Sequence, residues 1–242
     1  MRLVIDIGNT LVKTAVFDRE EIICLDKREN IDLPLIHRMQ ELYPRLCSAI
    51  IASVRQIPEK IMAGFKKAMP VLVLDAETSV PLKIRYENRS GLGADRIAAA
   101  VAGNHLFPDT NTLVIGTGTC ITYDFTDAKG CYLGGAISPG MRMRYQALHN
   151  FTDKLPLLEA GKEPALTGNS TEASIQSGVI HGIRAEMDGM IEEYKRNYEN
   201  LTIILSGGDL NHFDKKLKNN IFAVPNIVLT GLNIILQFND QS

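Results

Sequence analysis

Asp6 followed by Gly8-Asn9-Thr10 is a cluster that could handle a phosphate. The carboxylate can hold a hard cation such as Mg²⁺. Successive backbone N–H groups at a tight turn can cradle phosphate oxygens. The apolar run Leu3-Val4-Ile5 ahead of it is too short for a helix and reads as a buried strand. Val12-Lys13-Thr14-Ala15-Val16-Phe17 resumes beyond it, so the two runs predict a β-hairpin. Gly8-Asn9 would form its turn, because both residues tolerate positive φ. A hairpin with no phosphate to bind would use the same residues. A second copy of the pattern begins roughly 110 residues later. Thr112-Leu113-Val114-Ile115 leads into Gly116-Thr117-Gly118-Thr119-Cys120, then Ile121-Thr122-Tyr123-Asp124-Phe125. Two such hairpins could grip both ends of a triphosphate.

A second carboxylate stands in Gly91-Leu92-Gly93-Ala94-Asp95-Arg96, which opens a small-residue helix at Ile97. Asp95 near a helix start is favoured by the macrodipole whatever its role, and Arg96 could be its solvated neighbour. Tyr86 closes an extended stretch from Val80 and reads as an amphipathic strand-end residue or as part of a pocket. Thr171, after Gly168-Asn169-Ser170, reads as a helix cap or a ligand contact. Asp124 reads as part of the polar face of its strand, and Arg142 and Arg144 as exposed helix arginines. Ser206-Gly207-Gly208-Asp209 follows a predicted strand and is either a tight turn or a nucleotide loop.

The elements that must position these residues alternate. A three-strand meander over residues 3–25 is followed by a helix carrying Ile36, Met39 and Tyr43, ended or bent at Pro44. A strand at 49–54, a helix with Ile61, Phe65 and Met69, and a strand at 71–74 come next, which is an α/β pattern. Pro108-Asp109-Thr110-Asn111 is a polar break and predicts a boundary between domains 1–108 and 109–242. Gly134–Gly140 is too glycine-rich for an ordinary strand interior and predicts a close approach by a ligand or another chain.

Composition sets limits. Apolar residues at 45% and charged residues at 22% fit a globular core. A net charge of −2 gives no basic face for nucleic acid. No apolar run approaches the ~18 residues of a membrane span, and the N-terminus shows no signal-peptide pattern. Cys24, Cys47, Cys120 and Cys131 lack paired spacing and are expected to be buried thiols. The expectation is a cytoplasmic enzyme.

The paired hairpins resemble the superfamily of sugar and acetate kinases, actin and heat-shock chaperones. That resemblance implies two actin-like (ribonuclease H-like) α/β domains with an ATP cleft between them. Four ordered blocks resemble the type III pantothenate kinase family: Asp6–Lys13, Gly93–Arg96, Gly118-Thr119 with Gly134–Gly140, and Thr171 ahead of Gln176-Ser177-Gly178. The implied activity is ATP-dependent phosphorylation of pantothenate to 4′-phosphopantothenate, the first step of coenzyme A biosynthesis. The resemblance implies ATP contacts at Asp6, Ile7, Gly8, Asn9, Thr10, Leu11, Val12, Lys13 and Thr119. Asp6 would hold Mg²⁺ directly or through water. Asp95 would be the general base, and Tyr86, Gly93, Ala94, Asp95, Arg96 and Thr171 would bind pantothenate. Thr171 could act from the partner subunit of a homodimer. Gly116 departs from the family, which places an acidic residue there beside a K⁺ or NH₄⁺ ion. Glycine offers no side-chain ligand, so that site is expected to be weak or absent. Two rivals are another small-molecule kinase of the superfamily and a non-catalytic nucleotide- or pantothenate-binding regulator.

Overall fold

The computed structural model describes residues 1–161 and 163–240. The chain divides into two compact units. One contains Met1–Pro108, Gly130–Leu133 and the chain from Asn226 onward, and the other contains Asp109–Lys129 and Gly134–Pro225.

The first unit opens with β1 (Arg2–Ile7), β2 (Val12–Asp18) and β3 (Glu21–Arg28). It continues through α1 (Leu33–Leu42), β4 (Ser48–Ser53), α2 (Glu59–Ala68), β5 (Val71–Val73), β6 (Lys83–Ile84) and α3 (Ala94–Leu106). Its five-stranded sheet has the order β3-β2-β1-β4-β5. β1 runs antiparallel to β2 and parallel to β4. As the middle strand it is covered on both faces, which is why Leu3-Val4-Ile5 is continuously apolar rather than alternating. Leu3, Ile5, Val12 and Val16 pack with Leu35 and Ile36 of α1 and Phe65 of α2. Asp32 caps α1 by accepting from the Leu35 amide at 3.0 Å, and the helix ends at Leu42, short of Pro44.

The second unit carries β7 (Asn111–Thr117), β8 (Cys120–Thr126), most of β9 (Cys131–Pro139), α4 (Met141–Asn150), α5 (Thr171–Asn197), β10 (Leu201–Gly207) and β11 (Phe222–Ala223). Its strands lie in the order β11-β10-β7-β8-β9. β7 is antiparallel to β8 and parallel to β10. Read from the opposite edge, this order repeats that of the first unit: third strand, second, first, fourth, fifth. The duplication visible in the two hairpins therefore extends to the whole sheet. The opening residues of β9 belong to the first unit, where Cys131 and Tyr132 pair with Lys83 and Ile84 of β6.

The C-terminal helix α6 (Ile227–Asp240) corrects the expected domain division. It belongs to the first unit, not to a continuous second domain. A Cβ at Gly231 would lie 1.8 Å from the Ala98 carbonyl oxygen, so the glycine lets α6 press onto α3. Asn233 donates to the Arg19 carbonyl at 2.8 Å, and Ser48 donates to Asp240 at 3.1 Å.

Three smaller expectations also change. The segment 134–139 is strand after all: a Cβ at Gly135 would fall 1.6 Å from the Tyr123 carbonyl oxygen, so glycine there admits β8 rather than a ligand. The first hairpin does not use positive φ at Gly8 or Asn9. Ile7 pairs with Val12, leaving a four-residue loop closed by the Gly8 amide on the Leu11 carbonyl at 3.0 Å. Of the four thiols, all free, only Cys131 is buried.

Candidate active site

The first unit gathers two carboxylates. β1 carries Asp6 to its C-terminal end, just before the Gly8–Leu11 loop and opposite Lys13 of β2. Asp6 is only 8% exposed, and its carboxylate joins no hydrogen bond or ion pair among the described residues. Burial pushes its pKa up to about 6; Lys13 opposes the rise and the Asp95 charge adds to it. The two acids are thus close enough to feel each other. Ile7 and Val12 flank the loop as buried anchors, Lys13 is half-buried, and Asn9, Thr10 and Leu11 are exposed at its tip.

Gly93 caps α3, which puts Ala94 and Asp95 in its first two positions and Arg96 in its third. Asp95 is half-buried, and its Oδ1 accepts from the Arg96 amide at 3.0 Å. That carboxylate oxygen folds back over Gly93, where a Cβ would come within 2.6 Å of it. Glycine at 93 therefore sets the aim of Asp95, a constraint that spacing alone could not show. Arg96 is 7% exposed, which removes the reading of a solvated neighbour. Tyr86 lies just beyond β6 with its ring 6.2 Å from that of the buried Tyr132. Its ring is partly exposed, so it is available to a ligand.

In the second unit, Thr117 pairs with Ile121 and the hairpin turns through Gly118-Thr119-Cys120, with Thr119 exposed at the tip. Gly116 pairs with Thr122, and a Cβ there would lie 2.8 Å from Thr122 Oγ1. Gly207 has φ +112°, and a Cβ would sit 2.0 Å from the Thr117 carbonyl oxygen. Glycine at 207 is thus required by close packing on β7, whereas a side chain at 208 would meet nothing, and Asp209 donates its amide to the Thr117 carbonyl at 3.2 Å. Thr171 is not the cap of α5: Ser170 is, accepting from the Ala173 amide at 3.1 Å. Thr171 is exposed and lines an apolar cavity of about 930 Å³ with Leu148, Phe151, Leu155, Ile175 and Val179. Sequence patterns missed this cavity, because α4 and α5 form it only once packed. Asp124 is buried at 1% exposure, contrary to the polar-face reading. Arg142 is exposed as expected, whereas Arg144 is half-buried.

The family model for type III pantothenate kinase matches residues 2–193. The chain belongs to the type III pantothenate kinase family. It is 46% identical over 242 residues to a type III pantothenate kinase of Phocaeicola vulgatus, covering all of both chains. It is 43% identical over 245 aligned positions to one of Christiangramia forsetii, covering 99% of each. A crystal structure from Campylobacter jejuni, of a protein described as a conserved Baf family transcriptional activator, superposes with a TM-score of 0.64. That comparison spans 99% of this chain and 100% of the other at 18% identity, and so speaks to the fold alone. A pantothenate kinase is a phosphotransferase with an alcohol acceptor, and its reaction opens coenzyme A biosynthesis.

Proposed function

We propose that this kinase transfers the γ-phosphoryl group of ATP to the primary hydroxyl of pantothenate with Asp95 as general base. The observation that carries the assignment is the pair of unlike carboxylates in the first unit. Asp6 is buried with no ion-pair partner among the described residues, and Asp95 is half-exposed at a helix start. Asp95 accepts the hydroxyl proton as that oxygen bonds to the γ-phosphorus and ADP leaves. A carboxylate is a weak base towards an alcohol, so it acts late, contributing on the order of 10²–10⁴-fold. Arg96 binds the pantothenate carboxylate through its planar fork. Gly93 and Ala94 give that end of the substrate a smooth backbone wall, and Tyr86 flanks it.

The Asp6 site fits Mg²⁺. This ion takes one or two carboxylates together with substrate phosphates, and a buried acid with a raised pKa is relieved by a divalent charge. Bound with ATP, Mg²⁺ would neutralise charge on the phosphate oxygens. The loop from Ile7 to Lys13 and Thr119 of the second hairpin position the nucleotide. Thr171 acts on the acceptor side. Its apolar cavity and the 87% exposure of Phe151 support a homodimer in which a second copy covers this face. No described helix is long and apolar enough to cross a membrane. Cytoplasmic location is part of the proposal.

The test is coupled ADP release with pantothenate and a panel of other alcohols. Pantothenate alone should support turnover. ADP release with none of the acceptors, or faster release with a sugar, would remove this reading.

A further inference from the structure

Arg144 lies half-buried on α4 at the wall of the cavity beside Thr171, and its guanidinium is engaged by β9 and α5. Its Nε donates to the Pro139 carbonyl at 2.9 Å, and one terminal nitrogen donates to Ser138 Oγ at 3.0 Å. That same nitrogen forms an ion pair with Glu186 of α5. Tyr123 of β8, 1% exposed, donates its hydroxyl to the other Glu186 oxygen at 3.0 Å. Burial alone would raise the Glu186 pKa. Hydrogen bonds from Arg144, Ser138 and Tyr123, with the Arg144 charge, outweigh it and hold the carboxylate below its ordinary range. Arg144 of α4 thus grips residues 138–139 directly, while Glu186 of α5 and, through it, Tyr123 of β8 hold the guanidinium in place.

The next residue is Gly140, whose amide donates to the Thr119 carbonyl at 3.1 Å. A Cβ at Gly140 would lie 2.2 Å from the Gly118 carbonyl oxygen and 2.4 Å from that of Thr119. The Arg144 amide closes the circuit by donating to Gly140 at 3.1 Å. The loop Gly118–Cys120 therefore leans on a backbone segment that Arg144 grips from behind. A lysine could neutralise Glu186 as a point charge. It could not also hold Pro139 and Ser138 with a planar fork.

We propose that Arg144, held by Glu186 and Tyr123, is a positioning residue that sets the backbone of the Gly118-Thr119-Cys120 loop for nucleotide. The consequence for catalysis rests on the reading of that loop as an ATP contact. The positioning itself does not.

Two measurements separate the two. Amide hydrogen exchange in Arg144→Lys and Glu186→Gln should speed up at Gly118 and Gly140 while the rest of the second unit keeps wild-type rates. ATP binding, measured by calorimetry, should weaken roughly tenfold in both, with KM for pantothenate in Glu186→Gln changing less than about twofold. Thr119→Val serves as the control for the ATP reading. If Thr119→Val binds ATP like wild type while Arg144→Lys still loosens Gly118 and Gly140, the ATP reading fails and the positioning role stands. Unchanged exchange at both amides in both variants overturns the positioning role. So does exchange that rises across the whole unit in step with a lower Tm, which would make Arg144 a general structural residue.

Discussion

Asp6 and Asp95 differ in what they should cost and what they should do. An acid whose folded pKa is about 6, above its ordinary 3.8, is bound more tightly to its proton in the folded state. Stability therefore falls as pH rises from about 4 to about 6, then stays lowered, by up to about 3 kcal/mol for a group this buried. Asp6→Asn in the nucleotide-free protein should remove most of that slope and melt higher at neutral pH, while losing MgATP turnover. Thermal melts of both proteins between pH 4 and 7 check this; parallel curves would show that Asp6 is not the strained group. Asp95→Asn should keep pantothenate binding and lose on the order of 10²–10⁴ in kcat. Near-wild-type kcat in that variant would end its assignment as the base.

Glycines govern what the elements can do. Gly93 leaves room for the Asp95 carboxylate, so Gly93→Ala should lower kcat by up to about 10²-fold through misaim rather than unfolding. The measurement is kcat alongside Tm: an intact Tm with a lost kcat is expected, and an unchanged kcat would contradict the geometry. Gly116 offers no side-chain ligand, and a Cβ there would lie 2.8 Å from Thr122 Oγ1. With no charged ligand at 116, activity should depend only shallowly on potassium, read from a titration at fixed ionic strength. A steep requirement for potassium would refute this. Gly116→Asp alone should destabilise the hairpin, and Thr122→Ala beside it should restore stability and steepen the potassium response.

At the scale of the molecule, the exposed apolar cavity beside Thr171 is the face on which the proposed second copy would sit. Phe151→Glu places a charge on that face without touching either carboxylate of the first unit. Sedimentation velocity should show a dimer for the wild type and a 26.7 kDa monomer for the variant, with pantothenate turnover lost alongside. A wild-type monomer that is fully active at assay concentration would exclude a completing role for Thr171.

Local patterns carried much of this protein. The run Leu3-Val4-Ile5 announced a buried strand, the repeated Gly/Thr loop announced a second one, and Gly93–Arg96 with the other blocks named the family. Those features are legible because they act over a few residues: a strand's burial, a turn's backbone, a helix start. Tertiary structure decided the rest. α6 returns to the first unit because Gly231 fits against Ala98, a contact between residues far apart in sequence. Gly135 marks a strand, not a ligand approach, because β8 passes within reach of its missing side chain. Arg144 looked like a surface charge until Ser138-Pro139 of β9 and Glu186 of α5 were brought to it from two places in the chain. A residue type states what a side chain can do; its neighbours, set by packing across the fold, decide which of those things it does.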